Sequence, residues 1–102
     1  MKNREYILKT LLTQKSEFLK YGVQEIGLFG SYARNEQTEK SDIDVLIDFE
    51  TEKETFDNYM AVYELLEKLF DGTEVEIVTK KGLSPHIGPK ILDEVKYIQR
   101  AG

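Results

Sequence analysis

Two aspartates at alternate positions of an apolar segment are the residues of this sequence best suited to chemistry. Asp42 and Asp44 flank Ile43 at the start of the run Ile43–Phe49, whose β-branched and apolar residues are typical of a buried strand. Because side chains alternate between the two faces of a strand, both carboxylates point the same way, with their α-carbons about 6.5 Å apart. Two carboxylates at that spacing can bind one divalent cation.

A glycine–serine pair precedes these aspartates. Gly30-Ser31 follows the apolar run Ile26–Phe29, which is also predicted to be a buried strand. Gly30 permits a sharp turn and the close approach of a ligand, and Ser31 is predicted to cap a short helical turn whose free N–H groups attract a phosphate. Arg34 would lie on the same side of that turn, where its guanidinium can contact phosphate oxygens. A phosphate site and a metal site are therefore predicted to face one cleft.

The combined motif, Gly30-Ser31 followed by ten residues and then Asp42-x-Asp44, resembles the signature of the nucleotidyltransferase (DNA polymerase β) superfamily. Gly-Ser turns are common, and an Asp-x-Asp is often only the solvated face of a strand, but the two halves at this spacing favour a functional site. At 102 residues the chain is little longer than the catalytic core. It therefore most resembles the minimal nucleotidyltransferases, whose best-known members are antitoxins paired with HEPN-domain toxins.

The resemblance also implies a third metal carboxylate on a later strand. The segment Thr73–Val78 is predicted to be that strand, with Val75 and Ile77 on one face and Glu76 on the other. The family's third carboxylate precedes a hydrophobic pair, which places it at Glu76. Aspartate is usual at this place, so the longer glutamate either preserves metal contact with a shifted geometry or weakens catalysis. Glu74 is interpreted as a charge at the strand edge.

By the same resemblance, the chain would use ATP and two Mg²⁺ ions. Asp42 and Asp44 would hold both ions, and Glu76 would complete the ion nearest the acceptor hydroxyl; one ion would activate that hydroxyl while the other neutralises the triphosphate. The Gly30-Ser31 turn and Arg34 would bind the phosphates, so pyrophosphate leaves and the acceptor gains AMP.

Three functions follow from this resemblance. The first is transfer of AMP to a hydroxyl, a tyrosine in particular, of a partner HEPN-type toxin, which neutralises it. The second is an antitoxin with a weakened active site that neutralises the toxin by binding, and Glu76 is the feature that favours it. The third is transfer to a small molecule, although such relatives typically carry an additional helical domain that forms the acceptor pocket.

Three helices are predicted to back the strands. The first spans Lys2 to Tyr21, the second is capped by Thr55 and ends at Gly72, and the third starts at Pro89 and runs to about Arg100. The apolar faces of the second and third helices are predicted to be Phe56, Tyr59, Met60, Tyr63, Leu66 and Phe70, and Ile91, Leu92, Val95 and Ile98. This order predicts one α+β domain, residues 1–102, with a small mixed sheet backed by helices, similar to the polymerase β palm.

Composition narrows the class of protein further. A net charge of −5 argues against a dedicated nucleic-acid binder, because phosphate backbones require concentrated Lys and Arg. The absence of cysteine fits a reducing cytosol, and no apolar run approaches the roughly 20 residues of a membrane span. We therefore expect a soluble, cytoplasmic protein with no membrane partner. Lys40 is interpreted as a solvated charge rather than a phosphate contact, and His86, the sole histidine, as a structural or simply exposed residue without a catalytic role.

Overall fold

The computed structural model describes residues 2–98, in which two helices precede the first strand and helices and strands then alternate. The helices are α1 (Arg4–Thr13), α2 (Lys15–Lys20), α3 (Gly30–Ala33), α4 (Phe56–Leu69) and α5 (Gly88–Glu94), and the strands are β1 (Val23–Phe29), β2 (Ile43–Phe49), β3 (Val75–Thr79) and β4 (Lys96–Tyr97). The strand order is β3-β2-β1-β4. Strand β1 is antiparallel to both β2 and β4, whereas β2 and β3 are parallel, so the sheet is mixed as predicted.

The side chains of the central strand β2 point alternately to the two faces of the sheet. Ile43, Val45 and Ile47 are fully buried in the main core, which also contains apolar side chains of α1, α2 and α4. Asp44 and Leu46 lie on the opposite face because side chains alternate along the strand. A second, smaller core of Phe29, Leu46 and Ile91 joins α5 to that face. The carboxylates therefore lie on the sheet face that is less completely covered.

The predicted continuous helix from Lys2 to Tyr21 is wrong, because the helix is interrupted at Gln14. The Asn3 side chain caps α1 by accepting a hydrogen bond from the Tyr6 N–H at 2.8 Å. At Gln14 the backbone leaves the helical conformation, with φ −104° and ψ 15°. The bend lets α2 continue along β1, where Phe18 enters the main core. Helical spacing of apolar residues cannot reveal a bend that tertiary packing imposes.

The predicted third helix is also too long. Pro89 lies in its first turn as expected, but α5 ends at Glu94, and Val95 is extended with φ −63° and ψ 136°. The chain then pairs with β1 as the short edge strand β4. Ile98, predicted to lie on the helix, is instead buried in the main core. Arg100, the predicted helix end, lies outside the described residues.

Gly27 gives the physical reason for this early helix end. A β-carbon at Gly27 would come within 2.6 Å of the Val95 side chain and 3.1 Å of the Lys96 carbonyl oxygen. Only glycine at this position of β1 lets the segment after α5 approach closely enough to pair. Backbone hydrogen bonds of the edge strand, together with burial of Ile98, replace the helical turn that the sequence pattern predicts.

Helix α4 follows its prediction in outline, with a shift in its buried face. The Thr55 hydroxyl accepts a hydrogen bond from the Asn58 N–H at 3.1 Å, which confirms the predicted cap. Val62 and Leu66 are buried, one helical turn apart. Phe56, by contrast, was predicted to lie on the core face but is 77% exposed. None of the helices within residues 2–98 is long and apolar enough to cross a membrane.

Candidate active site

The turn from β1 into α3 places Gly30 against the Asp44 carboxylate. Phe29 stands opposite Asp44 in the antiparallel pairing of β1 with β2, so Gly30 follows directly beside that aspartate. Gly30 has φ +76°, and a β-carbon here would overlap the Asp44 carboxylate. Glycine is therefore required by both backbone conformation and space.

Ser31 does not cap α3 as predicted. The helix begins one residue earlier, at Gly30, and no side chain caps its first turn. Ser31 is half-buried within the helix, where its carbonyl oxygen accepts a hydrogen bond from the Glu36 N–H at 2.8 Å. The other end of α3 is held by Arg4, whose Nη1 donates to the Ala33 carbonyl oxygen at 3.2 Å. Ser31 thus remains beside Gly30, although its hydroxyl does not have the capping role that the sequence pattern indicates.

The three predicted carboxylates lie at the same end of the adjacent strands β2 and β3. Asp44 and Glu76 are directly opposite each other in the parallel pairing of these strands, and Asp42 lies just before β2. Asp44 is half-buried, whereas Asp42 and Glu76 are exposed. The pKa of Asp44 is raised to about 6, first by burial, then by the charge of Glu76 and a hydrogen bond with it, and then by the charges of Asp42 and Glu94.

The carboxylates of Asp42, Asp44 and Glu76 are chemically suited to binding a hard cation. Carboxylate oxygens are the ligands that Mg²⁺ prefers, and a cation would relieve the repulsion that raises the pKa of Asp44. Among the described residues, however, no three or more His, Cys, Asp or Glu side chains are arranged to hold a metal ion. Asp44 and Glu76 lie opposite each other in the pairing of β2 with β3. Asp42, Asp44 and Glu76 would have to turn their carboxylates toward a common point to bind Mg²⁺.

Arg34, the predicted phosphate contact, is paired with two glutamates. Its Nε donates to Glu36 at 2.8 Å, and its Nη1 lies 3.1 Å from both carboxylate oxygens of Glu94. The hydrogen bond to Glu36, with a further contribution from Glu94, raises the pKa of Arg34. Glu94 also accepts a hydrogen bond from the Gly30 N–H at 2.6 Å.

Glu94 is the residue of the site that the sequence analysis missed. It lies 64 residues after Gly30 and belongs to no motif, so only folding brings the two together. The sequence carried no signal for it, because the predicted helix ran to about Arg100 and placed Glu94 in the helix interior. Glu94 lies in the last turn, where an acidic residue is unfavourable with respect to the helix dipole, only because α5 ends there.

Other polar residues on or near these strands have contacts of their own or are exposed. Asp48 accepts a hydrogen bond from the Gln24 side chain at 2.7 Å, at the opposite end of β2 from Asp42. Lys40, Glu74 and His86 are exposed, as their interpretation requires.

Comparison with known proteins identifies the family. The nucleotidyltransferase domain model matches residues 8–98. The chain belongs to the nucleotidyltransferase domain family. This nucleotidyltransferase is 40% identical over 93 residues to the protein adenylyltransferase MntA of Thermococcus cleftensis, covering 89% of this chain and 92% of the relative. MJ1379 of Methanocaldococcus jannaschii, provisionally named a protein adenylyltransferase, is 40% identical over 95 residues, covering 89% and 94% of the two chains.

Solved structures confirm the predicted α+β nucleotidyltransferase fold. A structure assigned provisionally as a minimal nucleotidyltransferase superposes with a TM-score of 0.70 at 33% identity, covering 87% of this nucleotidyltransferase and 93% of that chain. A crystal structure of a toxin–antitoxin with AMP-PNP gives a TM-score of 0.71 at 19% identity, covering 92% and 73% of the two chains. At 19% identity, the similarity to this second structure shows a shared fold and nothing further.

Proposed function

We propose that this nucleotidyltransferase is an antitoxin that transfers AMP from ATP to a hydroxyl group of a partner toxin, in the cytoplasm and with Mg²⁺. A tyrosine of a HEPN-domain toxin is the proposed acceptor. The observation that carries the proposal is the convergence of Asp44 and Glu76, in register on adjacent strands, with the glycine turn that begins at Gly30. Relatives named as protein adenylyltransferases support AMP as the transferred group.

The residues of the chain have distinct proposed roles. Asp42, Asp44 and Glu76 would hold Mg²⁺, which when bound would activate the acceptor hydroxyl and neutralise charge on the phosphates. The Gly30-Ser31 turn and Arg34 would bind the β- and γ-phosphates. The hydroxyl oxygen would form a bond to the α-phosphorus as the bond from that phosphorus to the bridging oxygen breaks. Pyrophosphate would leave with the electron pair, and the hydroxyl proton would pass to water.

A macromolecular acceptor fits the exposure of these residues. Asp42 and Glu76 are exposed, and α5 covers only the neighbouring part of this sheet face through Ile91. An acceptor on the surface of another protein could therefore reach the carboxylates directly, and would bring the surface that surrounds its own hydroxyl. AMP attached near the active site of an RNA-cleaving toxin would place a bulky negative group where an RNA phosphate binds, which would block the toxin by repulsion.

The test is a transfer experiment followed by removal of the antitoxin. A purified candidate HEPN toxin is incubated with this protein, ATP and Mg²⁺, and the toxin is then separated and analysed by intact mass and by RNA cleavage. A gain of one AMP or more with persistent loss of cleavage is expected. An unmodified toxin that regains full cleavage after separation would contradict AMP transfer.

A second function is favoured by one observation. Glu76 is exposed and replaces the aspartate usual in the family, so its longer side chain would change the contact with a metal ion. An antitoxin that neutralises its partner by binding would need a lasting complex, whereas modification would not. Co-purification of unmodified toxin with this protein, and reversal on separation, would support binding over catalysis.

A further inference from the structure

The contacts of Glu94 resemble those expected of a bound phosphate. Its carboxylate accepts the Gly30 N–H at 2.6 Å and lies 3.1 Å from Arg34 Nη1, and its side chain is only 17% exposed. Carboxylate and phosphate oxygens are both anionic acceptors that favour backbone N–H and guanidinium donors. Glu94 thus occupies the two donors that the proposed function assigns to the phosphates of ATP.

We propose that Glu94 is an internal competitor of the nucleotide, which holds these donors in the nucleotide-free protein and must leave them when ATP binds. This inference rests on the proposed function, because it names what ATP displaces at that site. Competition would be decided at Gly30, since one N–H group cannot donate fully to two anions. Arg34 has further N–H groups and could contact a phosphate while it remains paired with Glu36.

Charge makes simultaneous occupation unfavourable as well. Glu94 lies near Asp44 and contributes to the repulsion around that carboxylate, which already includes Glu76 and Asp42. A triphosphate beside Glu94 would add further negative charge to this cluster. Displacement of the Glu94 side chain would release the Gly30 N–H and lower the repulsion.

The position of Glu94 allows it to move without dismantling the fold. It is the last residue of α5, whose seven residues are anchored by Ile91 in the smaller core. The chain beyond it is held separately by the β4 pairing with Gly27 and Leu28. Rotation of the Glu94 side chain would therefore suffice, with α5 and β4 in place.

The experiment measures affinity for ATP and for inorganic tripolyphosphate by calorimetry, in the presence of Mg²⁺. Glu94→Gln keeps the shape of the side chain and removes its charge, so we expect binding of both probes to tighten about fivefold to tenfold. Asp93→Asn is the matched control, because it removes the same charge from the neighbouring, exposed residue of α5. The control should stay within about twofold of wild type, because surface charges contribute little.

A second variant and an NMR signal at Gly30 test whether a change in affinity comes from the Glu94 contacts rather than from misfolding. Glu94→Asp keeps the charge but shortens the side chain by one methylene group, which weakens its reach to Gly30, and it should also tighten ATP binding. The amide NMR signal of Gly30 should move in Glu94→Gln, and saturating ATP should bring this signal to the same position in the wild type and in Glu94→Gln, because a phosphate replaces either side chain as the acceptor.

The outcomes separate this inference from the proposed function. If both Glu94 variants bind ATP as tightly as the wild type or more weakly, the proposed competition is overturned. The proposed function would still stand. Equal tightening in Glu94→Gln and Asp93→Asn would reduce the effect to overall charge and would also overturn it. Absence of ATP binding in the wild type and in every variant would overturn both proposals.

Discussion

Asp44 and Glu76 stand directly opposite each other on the parallel strands β2 and β3. Neighbouring strands are about 4.8 Å apart, so two acidic side chains on one face meet at close range. This pairing accounts for much of the electrostatic environment of Asp44, after burial, and it is the geometric core of the proposed metal site.

The stability of the metal-free protein should depend on the protonation of Asp44. Its pKa in the folded state is about 6, raised from 3.8, so its favourable contribution is fully present below pH 3.8 and is lost as the pH rises through about 6. Asp44→Asn removes this loss. In urea unfolding with EDTA, the variant should gain about 1–2 kcal/mol over the wild type between pH 4 and pH 7, allowing for solvent screening of a half-buried group. Parallel pH profiles for the two proteins would contradict the prediction.

Metal binding and transfer should require both aspartates. Asp42→Asn combined with Asp44→Asn should abolish Mn²⁺ binding and AMP transfer, because a hard cation needs clustered oxygen ligands. The fold should remain intact, and the melting temperature without metal should be equal to or higher than that of the wild type. Electron paramagnetic resonance of Mn²⁺ and circular dichroism would check these results. Wild-type transfer rates in the double variant would refute the metal assignment.

Two nearby glutamates offer a matched comparison. Glu76→Ala should lower transfer by about 100-fold or more, because even residues behind metal ligands contribute 10- to 100-fold. Glu74→Ala, an exposed glutamate just before the same strand, should change transfer by less than about threefold, as most surface charges contribute little. Glu76→Asp should keep or increase transfer if the ligand length usual in the family is better. Equal losses at both glutamates would leave Glu76 without a special role.

A pair of glycines can separate backbone strain from crowding of the site. Gly30 and Gly72 both have left-handed backbones, with φ +76° and φ +92°, but a β-carbon at Gly72 would meet nothing within 4 Å. Gly72→Ala should therefore cost about 1–2 kcal/mol in the free energy of unfolding and leave transfer unchanged. Gly30→Ala should cost more and should strongly reduce transfer, because its methyl group would displace the Asp44 carboxylate. Similar costs in chemical unfolding, with normal transfer in both variants, would contradict the proposed packing.

The sequence by itself determined strand β2, the greater part of β1 and β3, and the face that carries the carboxylates, but not β4, which was predicted to be helical. β2 matches its predicted range, Ile43–Phe49, because the alternation of apolar and acidic residues is a local property that the pleat of a strand converts directly into two faces. The Gly30-Ser31 and Asp42-x-Asp44 spacing likewise indicated the family before any contact was known. The Thr55 cap was predictable for the same reason, since its hydrogen bond joins residues only three positions apart.

Only the tertiary structure decided the helix ends and the partners of Arg34. The break at Gln14 and the end of α5 at Glu94 depend on contacts with β1, which local apolar spacing does not encode. The arrangement of Glu94 against Gly30 and Arg34 joins residues 64 and 60 positions apart. Such hydrogen bonds form only after the core has placed α5 across the sheet, because the free energy that brings the two segments together comes from burial of apolar side chains elsewhere.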